Sequence, residues 1–333
     1  MAYSKLSFLA LLVLPSIILL IILKLIVRPH PIKIPIKSRR VLITGGSTGI
    51  GLALARQAAA EGAHVTILAR NLENLREAKT SIRSSTGIDV DIVSADVCDF
   101  EAVKNAVESV GMIDVLVCNQ GVFVCHELEN QDIEVVKRMI DVNLIGTFNL
   151  VKVVLPGMRN RSDRKPVSIS FMSSQAGQVG IYGSTSYSAS KFGLRGLAEA
   201  LQQEVIADDI HVSLIFPPET NTDTLTKEKQ RRPQLTNIIS ASSTAMQVDE
   251  VAKKTLNGIK SGCFYVHCNW HGLILSLISS GYSPQRSYLM AFIEVIFAGF
   301  ARIISLCFQW TWYDCIEKHR AHQKECTTTI TLT

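Results

Sequence analysis

Between Arg39 and Phe264 short β-branched runs alternate with stretches of helical periodicity, and no other feature constrains the chain as much. Strands are expected at 40–44, 64–68, 90–94, 114–118, 166–172 and 210–215, with helices between them. Strands joined through helices run parallel, because each return must cross a face of the sheet. The expected fold is therefore α/β, a doubly wound parallel sheet in one domain over residues 39–266. The one long connection, 217–247, is rich in Thr, Ser, Lys and Arg and reads as a lid beside a site.

The two ends differ from this middle. Residues 1–30 carry three charged side chains and residues 264–316 carry four, in a chain whose overall charged content is 19%. Leu6–Leu23 has no charge, and the run continues past Lys24 to Val27. Those 22 positions reach about 33 Å as a helix, enough to cross a hydrocarbon core. Residues 1–28 are read as a transmembrane anchor, since the run is longer than a signal-peptide core and no small-x-small cleavage pair follows. Lys5 alone precedes it, whereas Lys24, Arg28, Lys33, Lys37, Arg39 and Arg40 follow, interleaved with three prolines. That bias puts the rest of the chain in the cytosol, with 29–38 as a short stiff linker, and leaves the sequon at Asn160 unglycosylated.

A second apolar region, 267–316, is interrupted by Arg286, Glu294 and Arg302 and broken at Ser279, Gly281 and Pro284. Its pieces of about 13 and 25 residues suit a re-entrant hairpin or interfacial helix pair at the lipid bilayer, with a full span as the second reading. The alternative, an apolar helix completing an interface between two copies of the chain in a homo-oligomer, stays open. Residues 317–333 form a polar tail.

Composition excludes other classes. A net charge of +5, scattered along the chain, does not argue for nucleic acid. The eight cysteines show no CxxC and no paired framework, and they read as free thiols in a reducing compartment. Cys263, His267, Cys268 and His271 lack zinc-ligand spacing, so no metal is expected.

The first strand runs into Thr44-Gly45-Gly46-Ser47-Thr48-Gly49-Ile50-Gly51 and then a helix. In that context Gly45, Ser47, Thr48, Gly49, Ile50 and Gly51 form a tight turn that brings backbone N–H groups and a helix N-terminus to a pyrophosphate. An acid at the end of the second strand would meet the ribose of NAD. The chain has Arg70 there, whose planar cation suits a 2′-phosphate and favours NADPH. Asp96 after the third strand is placed for the adenine, and Asn119 and Gly121 after the fourth let the chain pass close to the cofactor.

Tyr187 and Lys191 lie four residues apart on one face of a helix expected over 187–207. A tyrosine with a pKa near 10 is a poor acid at neutral pH, and a neighbouring lysine cation brings it closer to working range. Ser174 can hydrogen-bond a substrate oxygen, with Ser173 one residue away as its substitute, and Asn143 can complete a water relay to Lys191.

Together these residues resemble the short-chain dehydrogenase/reductase family over about residues 40–265: the TGxxxGIG turn, a variant of the NNAG turn, the SS…YxxxK active site and a Pro-rich turn after strand six. The resemblance implies a Rossmann-like fold. It implies that Tyr187 protonates a ketone, that Lys191 lowers the tyrosine pKa and binds the nicotinamide ribose, that Ser174 polarises the carbonyl and that Asn143 holds the relay water. It adds Pro217, Thr220 and Thr222 to the cofactor contacts. Two departures stand out: the NNAG turn reads Cys118-Asn119-Gln120-Gly121, and Pro217-Pro218 replaces Pro-Gly, which stiffens the nicotinamide loop.

The segments Ser173–Gln178, Tyr187–Phe192, Gly196–Gln202 and Phe216–Pro218 narrow the resemblance to the family's membrane-bound reductases of a long-chain sphingoid ketone. That implies an NADPH-linked enzyme of the endoplasmic reticulum membrane with its catalytic domain facing the cytosol. Reduction of a 3-ketoacyl-CoA or a steroid is the nearest alternative, and lid residues Lys227, Lys229, Arg231 and Arg232 keep a CoA substrate open. A non-catalytic, cofactor-sensing scaffold is the reading from another class.

Overall fold

A computed structural model describes residues 2–28, 30–163, 165–240 and 245–331, with side chains placed between Val13 and His322. Seven parallel strands form one sheet in the order β3-β2-β1-β4-β5-β6-β7. They are β1 (Arg40–Thr44), β2 (His64–Ala69), β3 (Asp91–Ser94), β4 (Val115–Cys118), β5 (Val167–Met172), β6 (Ile210–Phe216) and β7 (Tyr265–His267). The first six match the expected runs to within a residue or so. β7 went unread because three residues are too short to show a period.

The strand order reverses beside β1, so the loops after β1 and β4 diverge and leave a crevice at the carboxyl end of the sheet. Alternation of side chains divides the interior into two cores. Leu42, Leu68 and Leu116 face α4 (Phe100–Val110), α6 (Gly146–Arg159) and α7 (Thr185–Val205). Val41, Ile43, Val65 and Ile67 face α2 (Gly49–Ala60), α3 (Leu72–Thr86) and α10 (Val248–Lys260). α3 begins where Asn71 accepts the Asn74 N–H and ends on Gly87 at φ +74°, a left-handed stop suited to glycine.

α5 (Ile133–Ile140) passes into α6 through a π-helical turn at Asp141–Ile145, which carries Asn143. The connection 217–247 contains α8 (Asp223–Lys229) and α9 (Gln234–Ser240) and is docked on its neighbours. The Cys125 N–H donates to Glu228 at 2.6 Å, Thr236 Oγ1 donates to the Tyr182 carbonyl, and Arg232 pairs with Glu219 at 2.6 Å.

Outside the sheet, α1 (Ala2–Ile26) is a continuous helix containing Pro15. The stretch expected as a short stiff linker is strapped to the domain: Ile34 and Ile36 are buried in the second core, and the Ile34 N–H donates to the Lys260 carbonyl. Their alternation with proline and lysine lets one face pack while the other stays wet. The second apolar region divides into α11 (Trp270–Ser279) and a 44-residue α12 (Tyr288–Thr331) that extends through the polar tail. Arg286 is excluded from the helix and buried, donating to His211 Nδ1 and Gln202 Oε1, both at 2.7 Å. α12 packs on α1, α11 and α9.

Candidate active site

The turn after β1 has the backbone of a phosphate cradle. Gly45 and Gly49 sit at φ +61° and +54°. A Cβ on Gly51 would lie 2.2 Å from the Gly45 carbonyl oxygen and 2.5 Å from Asn119 Nδ2, so no other residue fits without displacing the turn. Thr48 opens α2 without a side-chain cap, and the first turn holds no acid, which leaves the helix N-terminus to attract an anion. Thr222 lies over the turn, its methyl 3.2 Å from where a Gly49 Cβ would be, while its hydroxyl accepts the Leu225 N–H that begins α8.

The variant turn after β4 explains its own departures. Cys118 is buried in the strand. Asn119 takes over the tying role, donating through Nδ2 to the carbonyls of Thr44 and Gly45 at 3.2 Å each. Gln120 turns inward, bonding the Thr44 hydroxyl and donating to Thr147 Oγ1 at 2.9 Å. Gly121 stands where a Cβ would meet Asn143 Oδ1 and Lys191 Nζ at 3.5 and 3.6 Å, so the chain passes directly beside the catalytic helix.

Arg70 and Asp96 meet at the ends of β2 and β3, 3.8 Å apart, with Arg70 half exposed. Asp96 also accepts the Cys98 N–H at 3.0 Å. Pro217 contributes its carbonyl to the Gln175 N–H, and Thr220 is buried with its hydroxyl on the Pro218 carbonyl. Of the cofactor candidates, Thr220 is the one turned away into its own loop.

Tyr187, Lys191 and Ser174 converge at the carboxyl end of β5. Ser174 hydrogen-bonds the Tyr187 hydroxyl and accepts the Ala176 N–H at 3.2 Å. Ser173 points into the core, donating to the Lys191 carbonyl at 3.1 Å, so the geometry favours Ser174 over its neighbour. Lys191 is 3% exposed; its Nζ donates to the Met172 carbonyl at 2.9 Å and lies 5.5 Å from the centre of the Tyr187 ring. Phe123 packs edge-on against that ring at 4.5 Å.

The electrostatics differ from the sequence expectation in one respect. Burial pushes the Tyr187 phenol up to about 12, opposed by the Ser174 hydrogen bond, and pushes Lys191 down to about 8. Loss of hydration sets both shifts, and the Ser174 hydrogen bond is the one contribution that opposes it. Tyr187 is thus held as a phenol, the form that can give a proton.

Asn143 is fully buried. Its Oδ1 accepts the Val122 N–H at 2.8 Å, and its Nδ2 donates to the Val122 carbonyl and to Ser190 Oγ. It fastens the loop after Gly121 to α7, and the second lone pair of Oδ1 is what a relay water could use. Phe123, Ser190 and the Met172 carbonyl were missed in the sequence. Phe123, two residues after Gly121, was the findable one; a backbone carbonyl leaves no residue signal.

The model for the short-chain dehydrogenase family matches residues 39–233. The chain is 59% identical to the 3-dehydrosphinganine reductase TSC10A of Arabidopsis thaliana, over 88% of this chain and 90% of that protein. It is 33% identical to the 3-ketodihydrosphingosine reductase of Bos taurus, over 92% and 93%. Among solved structures, a short-chain dehydrogenase/reductase family protein superposes with a TM-score of 0.60 at 26% identity, covering 71% of this chain and 98% of that one. The cradle, the Ser174, Tyr187 and Lys191 cluster and these matches agree, and the chain belongs to the short-chain dehydrogenase family.

Proposed function

We propose that the chain reduces the ketone of 3-dehydrosphinganine to the alcohol of sphinganine with NADPH. The cluster of Ser174, Tyr187 and Lys191 beside an uncapped phosphate cradle carries the chemistry; the relatives' names supply the substrate. When bound, NADPH supplies a hydride to the ketone carbon. Gly45, Ser47, Thr48, Gly49, Ile50 and Gly51 would hold its pyrophosphate, Arg70 its 2′-phosphate, Asp96 its adenine, and Asn119, Gly121, Pro217 and Thr222 its nicotinamide half.

Ser174 donates to the carbonyl oxygen and orients it. Tyr187 gives its phenolic proton to that oxygen as negative charge develops, and the Lys191 cation stabilises the phenolate left behind. Asn143 keeps Gly121 and α7 in register, so that Lys191 and the ribose meet, and it holds the water through which Lys191 passes a proton back to Tyr187.

The lid weighs against a CoA substrate. Lys229 and Arg232 are paired with Glu219 at 2.9 and 2.6 Å, which leaves Lys227 and Arg231 as the lid's basic residues without an ion pair among the described residues. A scaffold role has no need of a buried lysine beside a half-buried tyrosine.

The same reading places the enzyme at the endoplasmic reticulum membrane with the catalytic domain in the cytosol. α1 is the anchor. The stretch Tyr288–His322 of α12 is long and apolar enough to cross a bilayer, and little of it is covered by protein. Both its ends, however, rest on the catalytic domain, at Arg286 and at the contact of Arg320 with Glu127. A helix tethered at both ends to one cytosolic domain lies on the bilayer more readily than across it.

Tyr187→Phe tests the chemistry. Turnover should fall roughly 100- to 10,000-fold, with NADPH binding by fluorescence nearly unchanged. A variant that keeps more than about a tenth of wild-type turnover, a barrier change under about 1.4 kcal/mol, would rule out Tyr187 as the proton donor.

A further inference from the structure

α12 reaches from the amino end of β6 to the loop after β4, at the carboxyl end of the sheet. It starts beside Arg286, which is anchored on His211 at the beginning of β6. About 50 Å further on, at 1.5 Å per residue, Arg320 comes within 3.8 Å of Glu127 in the loop after β4. Glu127 also accepts the Tyr182 hydroxyl, from the loop that leads into Tyr187. Two open clefts flank this contact. One, of about 520 Å³, is lined by Leu128, Ile181, Tyr182, Gly183, Thr185 and Arg320 among others; the second, of about 270 Å³, lies between Glu127, Pro233, Leu235 and His319.

These clefts belong to the three loops that carry the active site. Phe123, four residues before Glu127, packs on Tyr187, and Tyr182 lies five residues before it in sequence. Pro233 and Leu235 are in the lid. The outer wall of both clefts is the polar end of α12, and the residues leading up to it expose Phe300, Ile303, Ile304, Phe308 and Trp310. An apolar strip therefore runs along the molecule and ends at the mouth of the site. The mixed lining, apolar at Leu128, Ile181 and Leu235 and charged at Glu127 and Arg320, is that of an entrance for an amphiphile.

We propose that the end of α12 is the outer wall of the groove that takes the alkyl chain of the substrate, and that Arg320 is the positioning residue that latches this wall to Glu127. The inference rests on the lipid-ketone reading above and extends it to the route of entry, from the bilayer along α12. An exposed pair at 3.8 Å is weak by nature. That weakness suits a latch which must open for a chain to slide past.

The test uses the full-length protein in detergent micelles. KM and kcat are measured for 3-dehydrosphinganine and for its analogue with a six-carbon chain, in wild type, Arg320→Ala, Glu127→Gln and the charge-swapped double variant Glu127→Arg with Arg320→Glu. Each single variant should raise KM for the long ketone about fivefold, the scale of one exposed ion pair, with a smaller effect on the short one. The swap should recover part of the loss, since an arginine restores the ion pair but cannot accept the Tyr182 hydroxyl. Equal losses at both chain lengths, no loss, or no recovery in the swap would overturn the latch. Hydrogen exchange at residues 126–131 gives a readout independent of the substrate. It should quicken in Arg320→Ala, and an unchanged rate there refutes the latch even if the enzyme proves to act on another ketone.

Discussion

Burial moves the two central side chains in opposite directions, Tyr187 up to about 12 and Lys191 down to about 8, and both shifts are measurable. With Lys191 losing its proton near pH 8, kcat/KM for NADPH should be level below that point and decline above it. Lys191→Met should lower the plateau and abolish the decline. A wild-type profile level to pH 10 would contradict the assignment. The linkage to stability has the opposite sense. The folded pKa lies below the ordinary 10.5, so from about pH 8 to 10.5 the unfolded chain holds more protons at this site, and Lys191 alone makes stability rise with pH there. Arg70 is the second residue with a clear signature. Arg70→Asp replaces attraction for a 2′-phosphate with repulsion, and NADPH binding should weaken roughly 10- to 100-fold while NADH binding holds or improves. Equal Michaelis constants before and after would remove Arg70 from the site. At this scale the sequence was highly legible where spacing encodes chemistry, as with Tyr187 and Lys191 on one helical face. It chose Ser174 with Ser173 as the substitute, and the pair stayed open because a strand end can turn either way until the Lys191 carbonyl claims one hydroxyl.

The glycine-rich turn is the element most intolerant of change. Gly51→Ala would drive a methyl group against the Gly45 carbonyl and the Asn119 amide. Because those atoms are backbone and a side chain held by two hydrogen bonds, the turn must open. NADPH affinity, measured by fluorescence, should drop at least tenfold, with thermal stability of the domain reduced less; retention of full affinity would show that the turn is not the phosphate cradle. Six of seven strands were readable because each carries at least four residues of β-branched or alternating pattern, whereas Tyr265–His267 does not. The lid was recognised by its length and polarity. Its docking was not, since it depends on Glu228 meeting a backbone N–H about a hundred residues away. The Cys118-Asn119-Gln120 turn looked like a weakened motif, yet it is closed by a different set of bonds, with Asn119 and Gln120 both reaching Thr44.

For the whole molecule, the division into apolar ends and an ordinary middle could be read directly from where charges fall. How the ends sit on the domain could not, because α12 runs on without a break past the charged residues Asp314, Glu317 and Lys318 and returns to the mouth of the site. Arg286, which in the sequence looked like an interruption of a membrane segment, is a buried anchor for that helix. The resulting shape couples an apolar strip to a reductase cleft, which is what a water-insoluble ketone requires. The most direct measurement of the account is the rate of sphinganine formation from 3-dehydrosphinganine by the detergent-solubilised full-length protein, with NADPH and with NADH. The account predicts steady conversion with NADPH and at least tenfold lower kcat/KM with NADH, a difference of about 1.4 kcal/mol. No sphinganine with either cofactor, or equal rates with both, would contradict it.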